Sequence, residues 1–270
     1  MNRRTAIVTG GSTGIGRAIA IELAKHGHDV AITYRSSRDE AQKTADAVKA
    51  AGGRCFIHQL DLSSPETAGP VVDQAVDQLG GLDVLVSNAG MMVRKTMPDL
   101  DLETARKIFD VNAIGAAMLI QRGVQHMVPD GDYSQSRSTP GRVIVVTSVH
   151  ETIANPQDTL YTMTKHALGG LVKCLSLDLS PRNITVNAIA PGEVATPING
   201  MDADDFDDVD RPAIPVRRAG KPSEIAAAVR FLASDDAGFV TGASWVVDGG
   251  LKVAAPLAAS AFRKSYLQQG

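Results

Sequence analysis

The sequence predicts a doubly wound α/β fold, a parallel sheet of about seven strands with helices on both faces. Three observations carry that expectation. Short β-branched runs alternate with longer segments of helical period along the whole chain. The runs are apolar almost throughout, as parallel strands buried on both faces require. No repeat, linker or second core interrupts the 270 residues, so a single domain spanning 1–270 is expected.

The first strand, Ile7-Val8, belongs to the apolar run Thr5-Ala6-Ile7-Val8 that follows Met1 to Arg4 directly and is too short for a secretory apolar region. A glycine-rich turn comes next and opens the first helix, which Gly27 is placed to stop. Val30-Ala31-Ile32-Thr33 is the second strand, and the helix after it stops at Gly52. Cys55-Phe56-Ile57 is the third. Ser64-Pro65-Glu66 then offers an N-cap, a proline at the first helical position and an early acid, and Gly80 closes that helix. Val84-Leu85-Val86 is the fourth strand. Val143-Ile144-Val145-Val146, the fifth, follows a polar Ser/Gly/Pro-rich loop from Asp130 to Gly141. A helix is expected from Tyr161 through Ser180, then Ile184-Thr185-Val186 as the sixth strand. Pro222 opens the last long helix before Trp245-Val246-Val247, the seventh strand.

Residues 196–221 break this rhythm with prolines and the aspartates Asp202, Asp204, Asp205, Asp207, Asp208 and Asp210. The aspartates lack the glycine and terminal glutamate of an EF-hand loop, so a solvated substrate lid is expected and no metal. The net charge of −3 argues against nucleic acid or an anionic membrane as partner. No run approaches the roughly 20 apolar residues of a membrane span. Cys55 and Cys174 have no metal-ligand spacing, and two buried, reduced thiols in a cytoplasmic protein are expected.

The turn Thr9-Gly10-Gly11-Ser12-Thr13-Gly14-Ile15-Gly16 stands between strand and helix, where glycines let backbone approach a pyrophosphate. The amides of the helix start then face the phosphates, so a Rossmann-type dinucleotide site is expected there. Tyr161 and Lys165 lie four apart in a helical segment and project from one face. Free tyrosine titrates near ~10, too high for acid–base work at neutral pH. An ammonium about 4 Å away at an effective dielectric of ~20 favours the phenolate by ~4 kcal/mol, lowering the pKa by up to ~3 units. Ser148 follows the fifth strand, at the sheet edge where ligands collect, and is placed to polarise a carbonyl beside Tyr161. Tyrosine–lysine pairs at this spacing are common on helices; co-occurrence with the turn and the serine gives this one its meaning.

Together these residues resemble the short-chain dehydrogenase/reductase family over nearly the whole chain. The turn is similar to its T-G-x-x-x-G-x-G, and Ser87-Asn88-Ala89-Gly90 to its N-N-A-G, with serine replacing the first asparagine. Asn112, Ser148, Tyr161 and Lys165 fall at the spacing of its catalytic tetrad. The resemblance implies an oxidoreductase with Tyr161 as acid/base and Ser148 orienting the substrate. Lys165 would hold the nicotinamide ribose and lower the tyrosine pKa, and Asn112 would hold a helix kink and a relay water. It also implies cofactor contacts from Gly10, Ser12, Thr13, Gly14, Ile15, Gly16, Asp61, Leu62, Asn88, Ala89, Gly90, Pro191, Gly192, Val194 and Thr196, and a homotetramer with subunit contacts around Asn112 and Tyr161.

Ser148-Val149-His150-Glu151 and Thr196-Pro197-Ile198-Asn199 are similar to the glucose 1-dehydrogenases of that family, but Met91-Met92 stands where those enzymes carry a glutamate. The substrate contacts expected are Ser148, His150 and Met92. An NAD-specific member ends its second strand on an acid; here Tyr34 holds that place, followed by Arg35 and Ser36, a fork and a donor suited to a 2′-phosphate. NADP(H) preference with some NAD(H) use is therefore expected. The function expected is interconversion of a sugar, polyol or similar secondary alcohol with its carbonyl. A 3-oxoacyl-carrier-protein reductase is the alternative, with Arg94, Lys95, Arg217 and Arg218 as a basic docking patch. A catalytically silent nucleotide sensor is a third, disfavoured by the intact Ser148, Tyr161 and Lys165.

Overall fold

The seven apolar runs become seven strands: β1 (Arg4–Val8), β2 (His28–Tyr34), β3 (Cys55–Gln59), β4 (Val84–Ser87), β5 (Gly141–Val146), β6 (Ile184–Pro191) and β7 (Ser244–Val247). The computed structural model describes residues 3–128, 132, 135–201 and 210–254. All seven strands join one sheet in the order β3-β2-β1-β4-β5-β6-β7, and every neighbouring pair is parallel. The helices are α1 (Gly14–Lys25), α2 (Arg38–Ala50), α3 (Ala68–Leu79), α4 (Leu102–Phe109), α5 (Gly115–Met127), α6 (Thr159–Leu179) and α7 (Pro222–Ala233).

Side chains alternate across the strands and feed two cores. Ile7, Ala31, Leu85, Val143, Val145 and Val186 face α3, α5 and α6. Ala6, Val8, Val30, Ile32, Ile144 and Ile189 face α1, α2 and α7. Each strand is thus apolar on both sides, which is why the sequence shows continuous runs rather than alternation. The architecture is the expected Rossmann-type α/β fold. Among the described residues, no helix is long and apolar enough to cross a membrane.

Strand order decides where a ligand can sit. The chain leaves β1 toward β2 and β3, then returns to place β4 on the other side of β1. Connections depart in opposite directions from the carboxyl ends of β1 and β4, leaving a crevice between them.

Several local expectations shift. β1 and β2 begin earlier than their apolar runs because tertiary partners satisfy polar residues there. Buried Asp29 accepts bonds from Arg3 Nε (3.0 Å), the Arg54 amide (2.9 Å) and Arg54 Nε (2.7 Å). Ser64 makes no side-chain cap; Pro65–Thr67 forms a single 3-10 turn held by Thr67 Oγ1 on the Ser64 carbonyl (2.7 Å), and α3 starts at Ala68. Gly80 caps α3 in the left-handed region (φ 83°), as expected. Cys174 is exposed on α6 rather than buried, because it lies on the outer side of that helix; Cys55 is half-buried, and burial pushes its thiol up to about 12. Asp202 to Asp208 of the expected lid, and residues 130, 131, 133 and 134 of the polar loop before β5, lie outside the described residues.

Candidate active site

The turn between β1 and α1 is locked to the end of β4. Thr9, fully buried, accepts the amides of Asn88 (2.9 Å) and Ala89 (3.0 Å) on its hydroxyl, while Asn88 Nδ2 donates to the Thr9 carbonyl (2.8 Å). A β-carbon on Gly16 would stand 2.2 Å from the Gly10 carbonyl oxygen and 2.6 Å from Asn88 Nδ2, so only glycine allows this closeness. Arg17, which the sequence reading passed over, clamps the turn from outside: its guanidinium donates to the Ser12 carbonyl (2.6 Å) and pairs with Glu40.

The four tetrad positions converge on the far side of β4. Ser148 lies just past β5, its Oγ accepting the His150 amide (3.2 Å), and it lines the same end of the cleft as Tyr161. Lys165, buried, donates to the Val146 carbonyl (3.2 Å), and its Nζ stands 5.4 Å from the centroid of the Tyr161 ring. Asn112 sits in a π-helical stretch, Asp110–Ile114, that kinks the passage from α4 to α5. Its amide exchanges bonds with Met91, Nδ2 to the carbonyl (2.8 Å) and Oδ1 from the amide (2.8 Å), and Nδ2 also reaches Thr164 Oγ1 (3.1 Å). Asn112 therefore stands behind the cleft and braces the segment after β4 against α6.

The expected depression of the Tyr161 pKa is corrected. Burial pushes the hydroxyl above its ordinary value, the Ser148 hydrogen bond pulls it back, and Asp158 pushes it up again. Lys165 gives no offsetting pull. Desolvation drops its own pKa to about 8, opposed only by Glu151, and its ammonium stands over the Tyr161 ring.

His150 packs edge-on against Tyr161 (centroids 5.8 Å apart, planes at 76°), its Nδ1 on the Ile153 carbonyl (3.2 Å). Arg35 is exposed at the end of β2; among the described residues its guanidinium has no hydrogen-bonded partner, only a through-space pull on Asp61. Asp61 is held below the usual carboxylate range chiefly by the Ser63 backbone hydrogen bond (2.9 Å).

A cleft of about 1090 Å³ runs along this edge. Gly10, Ser12, Thr13, Gly14, Ile15 and Gly16 line it at one end, Tyr34, Arg35, Ser36, Asp61 and Leu62 beside them. Asn88, Ala89, Gly90, Pro191, Gly192, Val194 and Thr196 lie mid-way, and Met92, Ser148, His150, Tyr161 and Lys165 at the other end. A dinucleotide fits the residues present. α1 has no side-chain cap, and Arg17 is its first amide with a backbone acceptor, the Thr13 carbonyl (3.2 Å). The amides of Gly14, Ile15 and Gly16 are thus left facing the cleft, as a phosphate requires.

A phosphate cradle one end of a cleft, with a hydroxyl proton donor at the other, suits hydride transfer to a carbonyl, and the class so defined is a nicotinamide-dependent oxidoreductase. The comparisons with known proteins make the family definite. A family model described as enoyl-(acyl carrier protein) reductase matches residues 10–252. The crystal structure of acetoin dehydrogenase YohF from Salmonella typhimurium superposes with a TM-score of 0.86 at 42% identity, covering 94% of this chain and 98% of that one. Glucose 1-dehydrogenase 2 of Bacillus subtilis is 34% identical, over 92% of this chain and 94% of its own length. A short-chain dehydrogenase from Burkholderia cenocepacia, solved in complex with NADP, has a TM-score of 0.82 at 33% identity, covering 92% and 97%. The chain belongs to the short-chain dehydrogenase/reductase family and is an NAD(P)-dependent oxidoreductase acting on alcohol or carbonyl groups.

Proposed function

We propose that this enzyme interconverts a small secondary alcohol and its ketone, with Tyr161 moving the proton, and that it prefers NADP(H) while still using NAD(H). The observation that carries the proposal is the convergence of two hydroxyl side chains, Ser148 and Tyr161, with Lys165 at one end of a cleft whose other end is a phosphate cradle. When bound, the nicotinamide supplies or accepts the hydride. Ser148 holds the substrate oxygen toward Tyr161. Burial keeps the Tyr161 proton in place at neutral pH, so it is ready for the carbonyl oxygen in reduction; oxidation needs it removed and is favoured by alkali. Lys165 supports the ring from beneath and is positioned for the nicotinamide ribose. The exposed Arg35, whose guanidinium has no hydrogen-bonded partner among the described residues, supports the NADP(H) preference with Ser36 beside it.

The acetoin and glucose dehydrogenases both have names that specify a second oxygen next to the reacting carbon. Met91, Met92, Ile153 and Ala154 put apolar side chains beside the polar groups at this end of the cleft, which suits a small vicinally oxygenated alcohol. The carrier-protein alternative loses its basic patch. Arg94 pairs with Asp158, Lys95 with Asp101, Arg217 with Asp210 and Arg218 with Glu224, so the four charges are cancelled locally.

As part of the same proposal the chain works as one catalytic domain with 196–221 as a lid, in a cytoplasmic homotetramer. Exposed Ile114 and Met118, on the helical segment carrying Asn112, and Met163, just beyond Tyr161, support those subunit contacts. A panel of acetoin, diols, sugars and 3-oxoacyl thioesters, followed by NADPH and NADH absorbance, tests the function. Acetoin or a sugar is expected to be the best substrate; fastest turnover of a carrier-linked 3-oxoacyl thioester overturns it.

A further inference from the structure

Asp158 begins α6, three residues before Tyr161, and is almost wholly buried (1% side-chain exposure) while lining the cleft. At the N-cap position its carboxylate would ordinarily accept an amide of the helix start, yet it makes no such cap. It instead accepts Asn155 Nδ2 at 2.6 Å and Arg94 Nε at 3.3 Å. The preceding residue, Gln157, is held at φ 67°, a left-handed conformation unfavourable for a side chain of its kind, and its carbonyl takes the Lys95 amide at 3.0 Å. Two separate pieces of chain are thus tied together at a strained position, with a buried charge that does not cap the helix.

What the arrangement orients is Arg94. It lines the same cleft, its side chain is 61% exposed, and among the described residues neither terminal guanidinium nitrogen has a partner. Asp158 and Tyr161 share one face of α6, so the guanidinium is anchored within a helical turn of the proton donor. The pair is electrically neutral as a whole, which suits an uncharged oxygen rather than a carboxylate.

We propose that Arg94 is the specificity-determining residue of this site, with Asp158 as its positioning residue: the free guanidinium edge takes the second oxygen of a vicinally oxygenated substrate. This rests on the substrate class given under Proposed function. An alcohol lacking that oxygen leaves the donors unpaired, and sites built around such donors discriminate strongly against the deoxy analogue.

The test compares acetoin with 2-butanone under NADPH for the full-length wild type, Arg94→Met, Arg94→Lys and Asp158→Asn. Wild type is expected to favour acetoin, and Arg94→Met to erode that preference roughly 10- to 100-fold, chiefly through KM. Arg94→Lys restores part of it, because charge returns without the fork. Asp158→Asn, of equal size, erodes the preference less than Arg94→Met, with kcat on acetoin falling less than KM rises. Equal losses on both ketones in Arg94→Met overturn the inference alone. Wild type turning over neither ketone, nor any sugar or diol of the panel, overturns the substrate class and this inference with it.

Discussion

Replacing Lys165 by methionine is expected to abolish turnover and yet change stability in a pH-dependent way that wild type reveals. The ammonium is buried and its pKa falls from 10.5 to about 8 through desolvation. A shift of about 2.5 units corresponds to roughly 3 kcal/mol of folding free energy. The unfolded chain keeps the proton up to 10.5 while the folded chain releases it near 8, so the unfolded state binds more protons between those values and stability rises with pH. The penalty is about 3 kcal/mol near pH ~7 and about 1.5 kcal/mol near pH ~9.5. Tyr161 acts in the opposite sense: its pKa is raised in the folded state, so stability falls as pH rises through the range where free tyrosine ionises, above ~10. Titration is therefore kept below that range. Methionine removes the penalty and leaves the Val146 carbonyl without its donor, a loss of ~1–3 kcal/mol. The variant should match or exceed wild type near pH ~7 and lose about 2 kcal/mol relative to it by pH ~9.5. Urea denaturation of both cofactor-free proteins at fixed concentration measures this. Parallel stability curves across the window would refute the account of a desolvated, charged Lys165.

Tyr161→Phe keeps the ring and deletes the proton, so turnover should drop roughly 10²- to 10⁴-fold while fluorescence titration shows NADPH affinity little changed; near-normal turnover sinks the mechanism. Arg35→Ala should weaken NADP(H) roughly 10- to 100-fold and NAD(H) much less; equal losses, read by calorimetry, would show that Arg35 does not sense the 2′-phosphate. Gly16→Ala forces a β-carbon onto the Gly10 carbonyl and Asn88, so stability should fall by ~1–3 kcal/mol or more and cofactor affinity with it; a variant with unchanged melting and binding would contradict the close packing of that turn.

The sequence by itself determined the elements whose cause is local. Continuous apolar runs mark parallel strands, glycines between Gly10 and Gly16 mark a turn that backbone must approach, and a four-residue spacing sets Tyr161 and Lys165 on one helical face. It also placed Ser148 beyond β5, because position after a strand is a property of chain order. Other features were decided only by the tertiary structure. The strand order sets the crevice between β1 and β4, and no local pattern records it. Arg94 and Asp158 are 64 residues apart, and as isolated charges they gave no sign of pairing. Arg17 was equally silent, since its partners are a carbonyl of the turn and a carboxylate on α2. The sign of the Tyr161 pKa shift was missed for the same reason. A spacing of four fixes direction along a helix, but whether the ammonium meets the oxygen or the ring face, and how far water is excluded from both, depends on the side chains that β5, the Ser148 turn and the Asn112 kink pack around them.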